Sequence, residues 1–148
     1  MRKIVLVFVW ALILGSVFAS CTKEGGNGPV DMNLIKGKWS FNKSTASSSG
    51  FTIPYTTEYL KNEDGCTKDY IEFISGGTAK FGNYTSGCAF EEKVGIWTQN
   101  GNNLILSISG SSLNGTFEIA SLSATQLILT IDGNYNGKSG KFNLYFTK

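Results

Sequence analysis

Short runs in which apolar and polar residues alternate cover most of the chain after residue 36. In the first run, residues 37–43, Trp39 and Phe41 share one face of a strand, and polar residues occupy the other face. Gly, Asn and Ser interrupt the alternation about every 8–12 residues, which is typical of a β-sandwich or a β-barrel. The predicted strands are residues 37–43, 51–60, 69–74, 78–84, 93–99, 102–109, 113–121, 126–132 and 141–147.

Glycine-rich turns connect consecutive strands. Ser75-Gly76-Gly77 is one predicted hairpin turn, and Asn100-Gly101 is another, because an Asn-Gly turn places both residues at positive φ. Beyond residue 20 the only helical pattern is a single turn predicted at 31–36. Eight or nine consecutive hairpin-linked strands form a meander, which avoids exposed edges by closing on itself. The sequence therefore predicts an all-β domain, an antiparallel up-and-down β-barrel of eight to nine strands.

Many large side chains share the inward phase of this barrel. They are Trp39, Phe41, Phe51, Ile53, Tyr55, Ile71, Phe73, Phe81, Trp97, Leu104, Leu106, Ile108, Phe117, Ile119, Leu127, Leu129, Ile131, Phe142, Leu144 and Phe146. An eight-stranded barrel is just wide enough to be filled by side chains or to hold one ligand. The number of large groups favours a filled interior, whereas Gly95 and Gly115 in the same phase leave space. Both alternatives remain open.

The first 20 residues have a different pattern. Met1-Arg2-Lys3 is basic, residues 4–19 are apolar, and small residues precede Cys21. This is the arrangement of an export signal, and with cysteine at the first mature position it resembles a bacterial lipoprotein signal. The resemblance implies cleavage before Cys21 and lipidation of its thiol. The alternative is a transmembrane anchor, but the apolar run is shorter than the ~20 residues that a membrane-spanning helix needs.

Three parts follow from these patterns. Residues 1–20 are predicted to be the lipoprotein signal peptide, and residues 21–30 the lipidated Cys21 with a flexible, glycine-rich tether. Residues 31–148 form the barrel domain, which is long enough for one hydrophobic core.

The charge and composition of the mature chain exclude several classes of function. Arg2 and Lys3 leave with the signal, so the 13 basic residues become 11, equal to the 11 acidic residues. A neutral domain is not expected to bind nucleic acid. The mature chain contains no His and no Arg, which rules out Ser-His-Asp and Cys-His arrangements and histidine metal ligands. We predict no catalytic residues, no metal site and no cofactor.

Three further sets of residues have a functional and a structural interpretation. The carboxylate pairs, Asp64 with Asp69 and Glu91 with Glu92, could act on a glycan, but they lie among ordinary polar residues. Residues 132–137 match the first half of a calcium loop, yet Asn143 stands at the position of the bidentate Glu, so a polar hairpin loop is favoured. The third set could form a glycan-stacking platform, although packing on a strand face is favoured: Tyr55, Tyr59, Tyr70 and Tyr84.

The two remaining cysteines test the strand register. Facing residues of an antiparallel pair have a constant sum of residue numbers, and Cys66 with Cys88 gives 154, as do Phe73 with Phe81 and Tyr70 with Tyr84. A turn centred on Gly77 gives this sum, whereas a two-residue Gly76-Gly77 loop gives 153. We predict a disulfide between Cys66 and Cys88 at the open end of this hairpin, in an oxidising compartment. The alternatives are two buried thiols or a redox pair.

A series of motifs in order along the chain resembles the lipocalins. It resembles most the lipocalin-like domains found as lipoproteins in Gram-negative bacteria. The motifs are Leu34-Ile35-Lys36-Gly37-Lys38-Trp39, Cys66-Thr67-Lys68-Asp69, Phe73 with Gly77-Thr78, Cys88, and Gly95-Ile96-Trp97 with Leu104-Ile105-Leu106. They cover most of residues 31–148. Secreted lipocalins stack a late Arg on the first-strand Trp, so Lys141 or Lys148 would have to take that place here.

The resemblance implies a barrel cup that holds a small hydrophobic ligand. The implied ligand-binding residues are Trp39, Phe41, Tyr55, Phe73, Phe81, Trp97, Phe117 and Phe142. We therefore expect a monomeric, non-catalytic binding or carrier module in the cell envelope, anchored by lipid to the outer membrane. The alternative is an envelope module for protein interaction or structure, with a filled barrel core.

Overall fold

A computed structural model describes residues 31–55, 60–135 and 138–148. The predicted signal peptide at 1–20, the lipidation site Cys21, the tether to residue 30, and Tyr59 lie outside the described residues. None of the helices in the part described is long and apolar enough to cross a membrane.

The described chain is almost entirely β-structure, as predicted. A short helix, α1, spans Met32–Ile35, and one 3₁₀ turn spans Ser86–Cys88. The strands are β1 Gly37–Ser48, β2 Phe51–Pro54, β3 Tyr70–Ile74, β4 Thr78–Thr85, β5 Ala89–Asn100, β6 Asn103–Ile108, β7 Gly115–Leu122, β8 Gln126–Tyr135 and β9 Lys138–Thr147.

The strands close into an antiparallel barrel, which confirms the predicted fold class. β1 and β3 to β9 follow one another around the barrel, and pairing between β1 and β9 closes it. β2 is the additional strand. It pairs with the second half of β1, whereas β3 pairs with the first half of the same edge. β2 and β3 therefore share one position in the barrel wall, with the segment between them inserted at that place.

Strand boundaries differ from the predicted ones in both directions. β2 ends at Pro54 and Tyr55 is not in a strand, so the predicted strand at 51–60 is wrong at that residue, while residues 56–59 lie outside the described part. Proline cannot donate a ladder hydrogen bond, so it is typically found at strand edges and ends. By contrast, β1 continues to Ser48 and β9 begins at Lys138. Hydrogen bonding to neighbouring strands, which does not depend on apolar side chains, extends these polar segments.

The register of the β3–β4 hairpin differs from the prediction. Ile74 lies opposite Thr78 and Tyr70 opposite Gly82, so facing residues sum to 152 and the turn is centred on Gly76. A shift of two leaves each side chain on its predicted face. Gly82 explains the choice, because a Cβ there would come within 2.1 Å of the Tyr70 ring. The Tyr70 ring packs over this glycine. In the predicted register Tyr84 would lie opposite Tyr70, and its side chain would occupy the space that the ring takes.

The β5–β6 turn is also displaced by one residue. Asn100 pairs with Asn103, so the two-residue loop is Gly101-Asn102 and not Asn100-Gly101. Gly101 has φ of 60°, and neither asparagine is among the residues with positive φ. A glycine at the first loop position is typical of a type II′ turn, which requires positive φ only there.

The predicted disulfide is present. Cys66 and Cys88 are bonded, with their Cα atoms 5.3 Å apart. Both lie just outside the strands, since Cys66 precedes β3 and Cys88 ends the 3₁₀ turn after β4. The bridge therefore ties the insertion before β3 to the β4–β5 connection, and it forms despite the shifted hairpin register.

One continuous core fills the barrel between two different ends. We call the end where β1 begins and β9 finishes the closed end, because α1 lies across it. The opposite end, where β1 turns into β2 and β8 into β9, is the open end. Between them, β7 pairs with β8 only from Glu118 to Leu122, so the two strands separate toward the open end.

Candidate functional site

The closed end of the barrel is sealed by α1. Asp31 caps this helix, accepting a hydrogen bond from the backbone N–H of Asn33 at 2.9 Å. The cap fixes the start of the turn and thereby places Ile35, which is fully buried, across the barrel end. The indole Nε1 of Trp39 donates to the carbonyl oxygen of Ile35 at 2.6 Å. Trp39, one of the predicted ligand-binding residues, is thus enclosed by the seal.

Lys148 occupies the position that an Arg takes in secreted lipocalins. Its Nζ lies 4.2 Å from the centroid of the Trp39 ring and donates to the carbonyl oxygens of Leu34 and Lys36, at 2.9 and 2.8 Å. A cation is well placed there, because it meets both the ring face and the C-terminal carbonyls of α1. Lys141, the other candidate, pairs instead with Glu118.

The middle of the barrel is filled by aromatic side chains. Five more predicted ligand-binding residues lie in this layer and are 5% exposed or less: Phe41, Phe73, Phe81, Trp97 and Phe117. The Phe73 and Trp97 rings meet edge to face at 5.4 Å, and Trp97 Nε1 donates to a backbone carbonyl at 3.1 Å. These residues form the core, which favours the filled interior over a deep cup.

The last two predicted ligand-binding residues, Tyr55 and Phe142, lie at the open end. Their ring centroids are 4.8 Å apart. The backbone of Tyr55 is held by Ser44, whose carbonyl oxygen accepts from the Tyr55 N–H at 3.0 Å and whose hydroxyl donates to the Tyr55 carbonyl. Phe142 lies over Gly133, where a Cβ would come within 2.3 Å of the ring. Glycine at 133 thus allows the Phe142 ring to lie along the wall.

An apolar depression opens beside these two rings. Its volume is about 110 Å³, and it is lined chiefly by Ala46, Phe51, Ile53 and Phe142 on β1, β2 and β9. Phe51 is 78% exposed and Ile53 is 47% exposed, although both face the barrel axis. Pockets for drug-sized ligands usually measure about 300–1,000 Å³. This depression therefore accommodates one end of an apolar molecule and not the whole of it.

The other side of the open end is covered. Leu113, in the connection between β6 and β7, is 3% exposed and belongs to the core. Lys93 lies opposite Phe81, in the inward phase, and its Nζ donates to the carbonyl oxygen of Gly110 at 2.6 Å. It also lies 3.4 Å from Glu91 Oε2. The sequence analysis did not name Lys93. It follows the same two-residue period as Gly95 and Trp97, and this period could have identified it as inward-facing.

Comparisons with known proteins agree with this geometry. The family model described as a lipocalin-like domain matches residues 35–129, more than half of the chain. The chain belongs to the lipocalin-like domain family. No curated protein sequence matches it.

A solved structure of a lipocalin-like protein shares the fold. A lipocalin-like protein from Bacteroides uniformis aligns with a TM-score of 0.52 at 16% identity, covering 78% of this chain and 98% of that one. An uncharacterized protein from Bacteroides eggerthii gives 0.48 at 14% identity, with coverages of 77% and 98%. The bovine lipocalin allergen Bos d 2 gives 0.45 at 19% identity, with coverages of 80% and 75%.

The outer wall of the lipocalin-like barrel carries an aromatic cluster. The Tyr70 ring stacks on Phe90 at 6.3 Å, and the Tyr84 ring lies 4.9 Å from Phe90. Lys38 Nζ lies 3.5 Å from the centroid of the Tyr70 ring, and the Tyr70 hydroxyl donates a hydrogen bond to Glu92. Burial and this hydrogen bond raise the pKa of Tyr70. Tyr70 thus packs on the strand face, whereas Tyr55 lies apart from this cluster, against Phe142.

Neither candidate carboxylate pair converges on one surface. Asp69 is fully buried while Asp64 is exposed. Glu91 and Glu92 are consecutive on β5 and so point to opposite sides of the barrel wall. Glu92 accepts hydrogen bonds from Tyr70 and Lys80, which lower its pKa.

The candidate calcium loop is not a loop where the structure describes it. Asp132 and Asn134 lie on β8, paired with β9 in extended conformation, whereas residues 136 and 137 are outside the described part. An extended strand cannot wrap its side chains around an ion. Within the described residues, no three His, Cys, Asp or Glu side chains are grouped closely enough to hold a metal ion.

Asp69 is a buried acid beside the disulfide. Its Oδ1 accepts from the backbone N–H of Tyr84 at 2.7 Å, while its Oδ2 has no hydrogen-bond partner among the residues described. Burial raises the pKa of this carboxyl above its ordinary value, and the backbone N–H groups of Tyr84 and Lys61 oppose the rise only in part. The folded protein therefore holds this proton to a higher pH than the unfolded chain does.

This predicts how Asp69→Asn changes the pH dependence of stability. In the parent, the contribution of Asp69 falls as the pH rises from its ordinary pKa through the raised one, because ionisation is disfavoured in the fold. The variant cannot ionise, so its free energy of unfolding should gain on that of the parent as the pH rises above about 4, by about 1.4 kcal/mol for each unit of raised pKa. Urea unfolding across this range measures the gap. Asp64→Asn, at an exposed site, is the control, and a gap that stays constant for Asp69→Asn contradicts the prediction.

Proposed function

We propose that this lipocalin-like chain is a non-catalytic binding or carrier module for a small, largely apolar ligand. It is monomeric and anchored through lipid on Cys21 to the outer membrane of the cell envelope. One apolar group of the ligand enters the open end of the barrel, and the rest of the ligand stays in solvent. Membership of the lipocalin-like family supports small-ligand binding in general, and the following observations support the particular form.

The observation that carries the ligand proposal is the exposed apolar rim of the open end. Phe51 and Ile53 face the barrel axis beside a depression of about 110 Å³, yet remain exposed. Fully burying a side chain of this size stabilises a complex by about 1.5–3 kcal/mol. An apolar group placed here removes both residues from water and contacts the Phe142 ring. The filled layer beneath, from Phe41 to Trp97, limits how deep it can go.

The anchor proposal rests on the order of residues before the barrel. A basic start, an apolar run and small residues precede Cys21, and the described barrel begins ten residues later, at Asp31. A tether of this length reaches at most about 30–35 Å when fully extended. Since Asp31 is at the closed end, the open end can face away from the membrane. Closure of β1 against β9 removes two strand edges and so supports a monomer.

The non-catalytic part of the proposal rests on residue types. Without His or Arg after residue 2, and with its acidic pairs divided between different surfaces, the domain lacks the usual groups that transfer protons or bind anions.

The alternative function, an envelope module for protein interaction, is favoured by a second observation: Val94, Ile96 and Ile105 are exposed on the outer wall.

Phe51→Ser tests the ligand proposal. We expect the variant to bind a hydrophobic fluorescent dye and a medium-chain fatty acid about tenfold more weakly, because a loss of about 1.4 kcal/mol corresponds to a factor of ten. Fluorescence titration of the mature domain measures both. Ile96→Ser removes an exposed apolar side chain from the outer wall and should leave the affinities unchanged. If Ile96→Ser weakens binding and Phe51→Ser does not, the ligand lies on the outside and the alternative function is supported.

A further inference from the structure

The barrel wall has an opening between β7 and β8. Backbone pairing of these strands extends from Glu118 opposite Thr130 to Leu122 opposite Leu127. Nearer the open end, residues 115–117 of β7 pair only with β6, and residues 131–135 of β8 pair only with β9. In the part of the chain that the structure describes, these two stretches therefore present free strand edges to each other.

The opening is a real space on the surface. A depression of about 300 Å³ extends into it from the paired part of the wall, and Thr116, Ile131 and Asp132 of its lining belong to the unpaired stretches. It is lined by Asn102, Asn103, Thr116, Glu118, Thr130, Ile131 and Asp132. β8 remains a regular strand beside it, because its other edge is paired with β9 as far as Tyr135. An extended strand that is paired on one edge and unpaired on the other is a template to which another strand can be added.

Side-chain direction and charge define which strand would fit. Ile131 lies opposite Phe142 and faces inward, whereas Asp132 lies opposite Lys141 and faces outward. Glu118 also faces outward, and Lys141 Nζ bonds to its Oε2 at 3.0 Å. Among the side chains that the structure describes here, one ammonium thus faces two carboxylates, so this part of the outer rim has a net negative charge. A partner strand would place apolar residues toward Ile131 and basic residues beside Asp132.

We propose that the free edge of β8, residues 131–135, binds an extended, alternating apolar and basic segment of a partner protein as an added strand. Backbone hydrogen bonds to the edge supply affinity, and the alternation of side chains supplies register. A second copy of this chain is the wrong occupant, because it would place one acidic edge against another. The site is distinct from the apolar rim at Phe51, so it stands or fails independently of the proposed ligand.

The test uses the ¹⁵N-labelled mature domain and a blocked peptide, Thr-Val-Lys-Val-Lys-Val-Thr. We expect amide shifts confined to residues 115–118 and 131–135. The peptide in which Glu replaces Lys should bind about five-fold more weakly, since exposed charge pairs have small effects. Two further peptides carry N-methyl groups on alternate residues, one on the N–H groups of each edge. The peptide methylated on the edge that faces β8 can no longer donate hydrogen bonds to it and should not bind, whereas the other peptide should still bind.

Asp132→Lys provides the charge swap on the protein. It should weaken binding of the lysine peptide by about five-fold and strengthen binding of the glutamate peptide by a similar factor. Asp64→Lys changes the net charge equally at a distant exposed site and should do neither. Equal affinity for both peptides, shifts located elsewhere, or concentration-dependent self-association through residues 131–135 would overturn the proposal. If Asp132→Lys does not fold, the two peptides and the N-methylated forms still decide the matter on the parent protein.

Discussion

Trp39→Ala is expected to lower the free energy of unfolding by about 3–5 kcal/mol, the range for removing a fully buried large aromatic side chain. Trp39 has no exposed surface, and its ring links the core to the seal at the closed end. Its removal also leaves the Ile35 carbonyl without the indole donor and Lys148 without the ring. Urea unfolding followed by circular dichroism measures the loss.

Lys148 variants show whether the closed end acts as one unit. Lys148→Ala should cost about 1 kcal/mol, since two charge-assisted hydrogen bonds at a partly exposed site are lost. Lys148→Arg should retain that stability, because the planar guanidinium can stack on the indole and still donate. In the Trp39→Ala background, Lys148→Ala should cost less than it does in the parent. Additive losses would show that the two residues act separately.

Cys66→Ser is expected to destabilise the domain by about 2–4 kcal/mol under oxidising conditions. The disulfide joins residues 22 positions apart and restricts the unfolded chain across the β3–β4 hairpin. Its removal also frees the insertion before β3, whose described residues 60–69 belong to none of the strands β1–β9. Thermal unfolding with and without reductant measures the effect. Reductant should lower the melting temperature of the parent to that of Cys66→Ser and leave the variant unchanged.

Cys21→Ser is the matched cysteine control. It should melt like the parent domain, because Cys21 precedes the barrel, but it should leave the membrane fraction if Cys21 carries the lipid. Cys66→Ser should remain in that fraction. Should Cys66→Ser melt like the parent in oxidising buffer, the bridge contributes nothing to stability. Complete membrane partition of Cys21→Ser would instead remove the lipoprotein proposal.

Strand number, meander order and most of the core could be predicted because they depend on local alternation. Trp39 and Phe41 share a face on any strand, and hairpin connections leave each strand beside the next one. The disulfide was predictable for a similar reason, since Cys66 and Cys88 flank a single hairpin. Turn sequences were less informative. The Ser75-Gly76-Gly77 turn forms as predicted, but it is centred on Gly76 and not on Gly77, and the β5–β6 loop begins at Gly101 and not at Asn100. Several placements of a glycine satisfy a turn equally well, so the sequence did not select one.

The candidate site was predicted only in outline. The resemblance implied that the eight residues from Trp39 to Phe142 line one ligand-binding interior, but six of them pack in the core and only Tyr55 and Phe142 reach the open end. A two-residue period shows that a side chain faces inward, and it carries no information about depth along the barrel axis. Depth depends on the stagger of the strands, which arises from long-range pairing such as Trp39 with Ile71 and Phe41 with Phe146.

The sequence by itself determined the fold class, the phase of each strand and the residue types available for chemistry, because these depend on neighbouring residues and on composition. Only the tertiary structure decided which Lys reaches Trp39, since Lys141 and Lys148 are equivalent until β9 is aligned on β1. It also decided the register in which Tyr70 covers Gly82, and the separation of β7 from β8 that leaves an acidic edge open. Each of these follows from contacts between residues far apart in the chain, where side-chain shape and the closure of the barrel select one arrangement among several with the same local pattern.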